Sequence, residues 1–260
     1  MNMLKGIHSS VVIGENVKLG RNVNVGPNTI IYDNVEIGDD SDIGASVILG
    51  EPLSAFYSDK DNYVNPSLVI GRNALVRSGT KIYAGSVLGD KLECGHNVTI
   101  RENTKAGLNW RVGTLSDIQG HCEIGDYVRF HSNVHIGHKS RIANYVWIFP
   151  YVVLTNDPHP PSNELVGVSV EDFAVIATMS VILPGVNVGK NSLVGAGSIV
   201  KRNVDEESVV VGNPAKNVCS VREITSKTTN MNVYPWAEYF DRNMPWHGIG
   251  FVEWKKRNQK

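Results

Sequence analysis

The chain predicts an all-β solenoid, a parallel β-helix with a short aromatic and helical tail, on three observations. An aliphatic residue recurs every six positions from Ile7 almost to Val204, a small residue very often follows it, and a small or β-branched residue stands at the fifth place. Ile13-Gly14 with Val17, Ile37-Gly38 with Ser41, Ile124-Gly125 with Val128 and Val188-Gly189 with Ser192 all obey this rule. A short fixed period with one large apolar side chain per unit is how a solenoid reads, and six-residue units belong to parallel β-helices.

Three units make one coil. Each unit is a short strand whose aliphatic residue points into a triangular core, and the glycine or small residue beside it turns the corner. Residues eighteen apart then stack roughly 4.8 Å apart, one coil above the next. The same rule shows which polar side chains meet on the surface.

Composition agrees with one solenoid and a tail. The 260 residues are 42% hydrophobic, enough for a long core, and the formal charge of −1 supplies no electrostatic reason to expect nucleic acid or a membrane surface as partner. The three cysteines are unpaired in number, widely spread and without metal-site spacing, so they read as free thiols of a reducing, cytoplasmic protein. Residues Met1 to Ser10 lack an apolar run, so no signal peptide or membrane span is expected there.

The β-helix is expected over 1–216, with two loops breaking the repeat near 51–67 and 156–169. The first carries Phe56, Tyr57 and Tyr63, and the second reads NDPHPPSNELVGVS. A solenoid admits extra residues only where they loop out at a corner, and such loops are either tolerated insertions or walls of a binding site. The segment 217–260 is a tail or cap. Val218 to Lys227 is expected to form a short helix, and Tyr234, Trp236, Tyr239, Phe240, Trp246, Phe251 and Trp254 need burial, either over the open end of the last coil or against a neighbouring subunit.

Five of the eight histidines fall between Gln119 and His159, namely His121, His131, His135, His138 and His159. The eighteen-residue rule stacks Gly120, His138 and Asn156 at one corner, with His121, Lys139 and Asp157 beside them. His138 therefore lies beneath the start of the second loop. A histidine at an exposed corner under a polar loop is either an ordinary solvated residue or a group placed to accept a proton near neutral pH.

The repeat, the segment VVVGNPAK (Val209 to Lys216) and the loop after Leu154 make the chain resemble the hexapeptide-repeat acyltransferases, whose coils are left-handed. NVHIGHKSRI (Asn133 to Ile142) is similar to the Asn-x-His-Ile-x-His-Asp stretch of the sugar-nucleotide acyltransferases, and TNDPHP with the aromatic tail looks most like the N-acetyltransferases of dTDP-linked 3-amino-3,6-dideoxyhexoses. The resemblance implies a homotrimer, acetyl-CoA as acyl donor, a nucleotide-linked amino sugar as acceptor, no metal, and His138 as general base.

In that family an acidic residue follows the base, whereas Lys139 stands here and cannot orient an imidazole in the same way. Asp157 is expected to neutralise Lys139. An amine attacks a thioester without prior deprotonation, so His138 need only accept a proton or position the substrate, with Asn156 polarising the carbonyl. His131 is a second catalytic candidate. His121, Asp157, Arg101 and Tyr83 are the candidate substrate contacts. For the acyl donor, exposed N–H groups near Ala177 and Gly195 allow close approach, and Lys190, Lys201 and Arg202 are placed to meet phosphates.

Other functions fit the same fold. An O-acetyltransferase of a sugar or serine needs a stronger base and an orienting acid. A zinc-dependent, gamma-type carbonic anhydrase needs histidines five residues apart on successive hexads, where His131, His135 and His138 are four and three apart. A non-enzymatic binding solenoid needs a flat rank of identical outward residues, and none is visible in the sequence.

Overall fold

The computed structural model describes residues 5–258; the first four and last two residues of the spans expected above lie outside the described residues. Strands of two to four residues follow one another around three faces. Val12–Ile13 lies on face 1, Lys18–Leu19 on face 2 and Asn24–Val25 on face 3, and Ile30–Ile31 returns to face 1. Repetition builds sheets of ten, nine and eleven strands, parallel except for the last pair of face 3. Val12 pairs with Ile30, and His135 with Asp117 below and Val153 above, which is the eighteen-residue register the period requires.

Inward aliphatics such as Ile31, Leu49, Ile82, Ile136 and Leu154 form one continuous core with no exposed surface. The small inward residues that turn the corners include hydroxyls, and burying these is tolerated because the coil satisfies them. Thr80 Oγ1, for example, donates to Gly95 O at 3.0 Å and accepts from Val98 N at 3.2 Å. The residue before each such position is left-handed, and asparagine fills it repeatedly, as at Asn16, Asn22 and Asn34 with φ of 55°, 56° and 61°.

Two coils are longer than the rest. Val35 pairs with Leu68 and Arg141 with Ser169, offsets of 33 and 28 in place of 18. The first excursion leaves after Ile48–Glu51 and the second after Val153–Leu154; both strands belong to face 1, and both excursions rejoin the coil on face 2. Both loops therefore project from the same edge of the prism, five coils apart along face 1.

The tail does not cover the open end. It lies along face 3 and the edge between faces 2 and 3, where Tyr127, Tyr145 and Phe173 hold the left-handed corner positions at φ of 55°, 60° and 63°. Bulky residues are costly in that conformation. They are held there by stacking on one another, at 5.6 and 4.8 Å between centroids, and by the tail aromatics above them. Trp236 Nε1 donates to Phe173 O at 2.8 Å, and Arg129, 4% exposed on face 3, donates to Asn243 O at 3.0 Å. The end of face 3 is closed by an antiparallel hairpin, Ser208–Gly212 with Ala215–Ser220. Val218 to Lys227 is accordingly not a helix: it finishes that hairpin and makes one short 3-10 turn, Val221–Glu223, while the helix of the tail is Phe251–Asn258. Pairing with the exposed end of the sheet takes precedence there over local helical propensity.

Candidate active site

The edge between faces 1 and 2 gathers the polar chemistry. Glu102, Gly120 and His138 succeed one another at its middle position, with Asn103, His121 and Lys139 alongside; His121 N donates to Glu102 O at 2.8 Å and Lys139 N to Gly120 O at 3.2 Å. His138 is half-buried, and its Nδ1 lies 3.1 Å from Gln119 O. A carbonyl only accepts, so Nδ1 carries the hydrogen and Nε2 keeps its lone pair free to accept a proton. The carbonyl thus does the orienting work for which Lys139 is unsuited. Beside it, Asn103 Nδ2 donates to His121 Nε2 at 3.3 Å, and the two imidazoles lie 4.7 Å apart at 51°.

Asn156 stays over this corner. Its Cβ would be 3.1 Å from a side chain started on Gly137, and its carbonyl accepts from Val166 N at 2.8 Å, pinching the loop closed at its base. Asp157 departs from expectation. It turns into the loop, where it accepts from Ser162 Oγ at 2.7 Å, Ser162 N at 2.9 Å and His159 N at 3.0 Å, and these bonds, Ser162's first, hold its carboxyl below the usual 3.8. Gly167 takes the place over Lys139 instead, so tightly that a Cβ on it would meet Lys139 O at 2.1 Å. The reason is that the chain rejoins the coil only at Gly167, so residue counting through the loop assigns the wrong neighbour. Lys139 is exposed and has no ion pair among the described residues.

Lower on the same edge, Arg101 grips Glu102 with two bonds, Nε to Oε2 at 3.0 Å and a terminal nitrogen to Oε1 at 2.9 Å, and its guanidinium lies 5.8 Å from the centre of the Tyr83 ring. Tyr83 and Arg101 thus share an edge with His138 and His121.

The remaining candidates lie elsewhere. His131 is on the edge between faces 3 and 1, stacked on Phe149 at 4.5 Å and against Trp147 at 6.0 Å; burial lowers its pKa from 6.5. Its place is an aromatic column that continues toward the tail, and it does not join His138. His135 points out of face 1 to Asp117 at 3.1 Å, so the three histidines leave the coil in different directions. The donor candidates also separate, because coil position decides the edge each occupies: Ala177 and Gly195 fall on the edge between faces 3 and 1, Lys190 between faces 2 and 3, and Lys201 with Arg202 between faces 1 and 2, on the His138 edge. The N–H groups of Ala177 and Gly195 are used within the sheet, donating to Val194 O at 2.9 Å and Val210 O at 2.8 Å. Their neighbours Thr178 and Ala196 have N–H groups with no acceptor among the described residues.

Gln119 and Glu102 stand at this corner without being candidates on sequence, whereas Gly120 is stacked there by the eighteen-residue rule. The signal was present: Ile118 is followed by Gln119, and the glycine comes one place late, so the corner at Gly120 has φ of 90° and an irregular turn where its neighbours are regular.

Part of the chain, residues 7–108, matches the family model described as GMPPB C-terminal domain. A putative acetyltransferase of Saccharomyces cerevisiae is 32% identical over 126 residues, 42% of this chain and 64% of that protein. An acyl-[acyl-carrier-protein]–UDP-N-acetylglucosamine O-acyltransferase of Sinorhizobium fredii is 29% identical over 159 residues, 56% of this chain and 53% of that one. The aligned segments thus span between about half and two thirds of these relatives' lengths. Among solved structures, the Arabidopsis UDP-N-acetylglucosamine acyltransferase shares the fold at a TM-score of 0.54 and 19% identity, covering 83% of this chain and 72% of that one. No helix among the described residues is long and apolar enough to cross a membrane.

Proposed function

The chain belongs to the hexapeptide-repeat acyltransferase family, whose fold is the left-handed β-helix, and from that premise we propose that it transfers an acetyl group from acetyl-CoA to the amino group of a nucleotide-linked sugar. The observation that carries this reading is His138, tied at Nδ1 to Gln119 O so that Nε2 is free beside the mouth of the second loop. A carbonyl orients the ring without adding negative charge. That suits an amine acceptor, which attacks unaided and needs only a proton acceptor as it is acylated, better than a hydroxyl, which must be deprotonated.

Lys201 and Arg202 support the donor assignment, standing on the His138 edge beyond the loop, where they suit the phosphates of CoA. The free N–H groups of Thr178 and Ala196 suit the amides of its pantetheine arm, but they lie on another edge. One donor molecule meets both sets if a neighbouring chain supplies one of them, which is the reason to propose a homotrimer. Leu115, Tyr151 and Met179 support that packing: they sit on the edge between faces 3 and 1, 56%, 57% and 66% exposed, in the left-handed conformation that bulky side chains seldom adopt.

The test is acetyl transfer from acetyl-CoA to a panel of nucleotide-linked amino sugars, wild type beside His138→Ala. A loss of roughly ten- to ten-thousandfold is expected in the variant. No transfer by the wild type to any member refutes the reading, and transfer to a hydroxyl analogue instead makes the protein an O-acetyltransferase. Light scattering that returns the mass of one chain, 28.5 kDa, refutes the trimer.

A further inference from the structure

Position 120 is a gap with chemistry closing on it from both sides. Gly120 carries no side chain, and a Cβ built there would lie 3.4 Å from Glu102 Cδ and 2.8 Å from Glu102 O, so the Glu102 side chain rises from the coil below to the level of Gly120. From the coil above, the His138 ring descends to the same level, as its bond to Gln119 O requires. Glu102 and His138 are two coils apart, about 10 Å along the backbone at one strand spacing per coil. Any ordinary residue at 120 would fill the space between them.

We infer that Glu102 recognises the amino group that receives the acyl chain, and so sets the preference for nitrogen over oxygen; this rests on the transferase reading above. Arg101 binds both carboxylate oxygens from one side and fixes their direction. A carboxylate has about four acceptor sites, so each oxygen retains one for an incoming donor. An amino group supplies several N–H donors and, when protonated, a positive charge, whereas a hydroxyl supplies one donor and no charge. A nitrogen held over Glu102 would occupy the side of Gly120 that faces His138. In its neutral form it attacks the thioester carbon, the C–S bond breaks, and the nitrogen's proton passes by way of Nε2 to the departing sulfur. Glu102 thus binds the acceptor, and His138 moves the proton.

The experiment compares wild type, Glu102→Gln and Glu102→Asp, each checked for folding by its melting curve. Glu102→Gln keeps the shape and removes the charge. Its KM for the amino sugar is expected to rise roughly ten- to hundredfold, the worth of a charged hydrogen bond, with kcat nearly unchanged, and Glu102→Asp recovers part of the loss. A second measurement needs no variant: calorimetric binding to the wild type of the amino sugar against its deamino, hydroxyl-bearing analogue, where the amine is expected to bind at least tenfold tighter. Equal binding of the two, or an unchanged KM in a folded Glu102→Gln protein that acetylates the sugar, overturns the role of Glu102. Failure of the wild type to acetylate any amino sugar refutes the transferase reading itself.

Discussion

Trp246 is the centre of the tail, and replacing it with alanine tests whether the tail is a cover for the side of the solenoid. The indole is fully buried, with five aromatic rings around it: Phe251 at 5.0 Å, Tyr145 and Trp254 at 5.3 Å, Trp236 at 5.7 Å and Phe173 at 6.2 Å. Its Nε1 donates to Phe240 O at 3.0 Å. Truncating a buried Trp to Ala costs about 3–5 kcal/mol, and the orphaned Phe240 carbonyl places Trp246→Ala toward the upper part of that range. Coils of a solenoid touch only their neighbours, so the loss is expected to be local. The tail should detach before the β-helix melts, exposing Tyr127, Tyr145 and Phe173, whose left-handed backbone is then unsupported. Thermal melting followed by tryptophan fluorescence, with limited trypsin digestion beside it, reads this directly. The expected result is an early transition at a midpoint roughly 6–15 °C lower and rapid cleavage after Lys255, Lys256 or Arg257 on the terminal helix. A Trp246→Ala protein that melts and resists trypsin as the wild type does would refute the claim that this cluster holds the tail.

Two further outcomes follow from burial. His131 is held neutral by burial, its pKa lowered from 6.5, so the unfolded chain binds a proton that the folded one resists, and stability should fall as pH drops from 6.5 toward the lower folded value. Melting curves between pH 7 and 5 should therefore drop more for the wild type than for His131→Gln, and parallel curves would refute the assignment. Burial also pushes the thiols of Cys94 and Cys122 up to about 12 and about 11, so iodoacetamide at pH 8 should label Cys219 well before either of them in the native protein, as mass spectrometry of the digest would show. Early labelling of Cys94 would contradict its place in the core.

The solenoid was legible because each hexad repeats one local decision, and the inward aliphatics from Val25 to Val200 vote for the same period. Counting by eighteen also placed His121 and His138 on one edge, since no insertion lies between them. It failed at Asp157 for a geometric reason: the loop breaks the count, and the residue that resumes the stack, Gly167, is chosen by where the chain can rejoin face 2. The aromatic tail announced that it had to be buried but not against what. The clue lay in Tyr127, Tyr145 and Phe173, aromatic at corner positions where other coils carry asparagine.

By itself, then, the sequence determined the period, the core and the edge that carries His138, because these follow from side-chain spacing along a regular coil. Packing between segments distant in the chain settled the rest. It set the tail on face 3 because that face presents Trp147, Val175 and Leu193, apolar groups that need a cover. The separation of His131 from His138, by contrast, already follows from the spacing, since one strand of coil rotates the chain from one edge to the next. Packing also decided how the side chains of Glu102 and His138, whose backbones the eighteen-residue spacing already stacks, lie on the two sides of Gly120, because side-chain direction depends on the partners each finds in the folded coil.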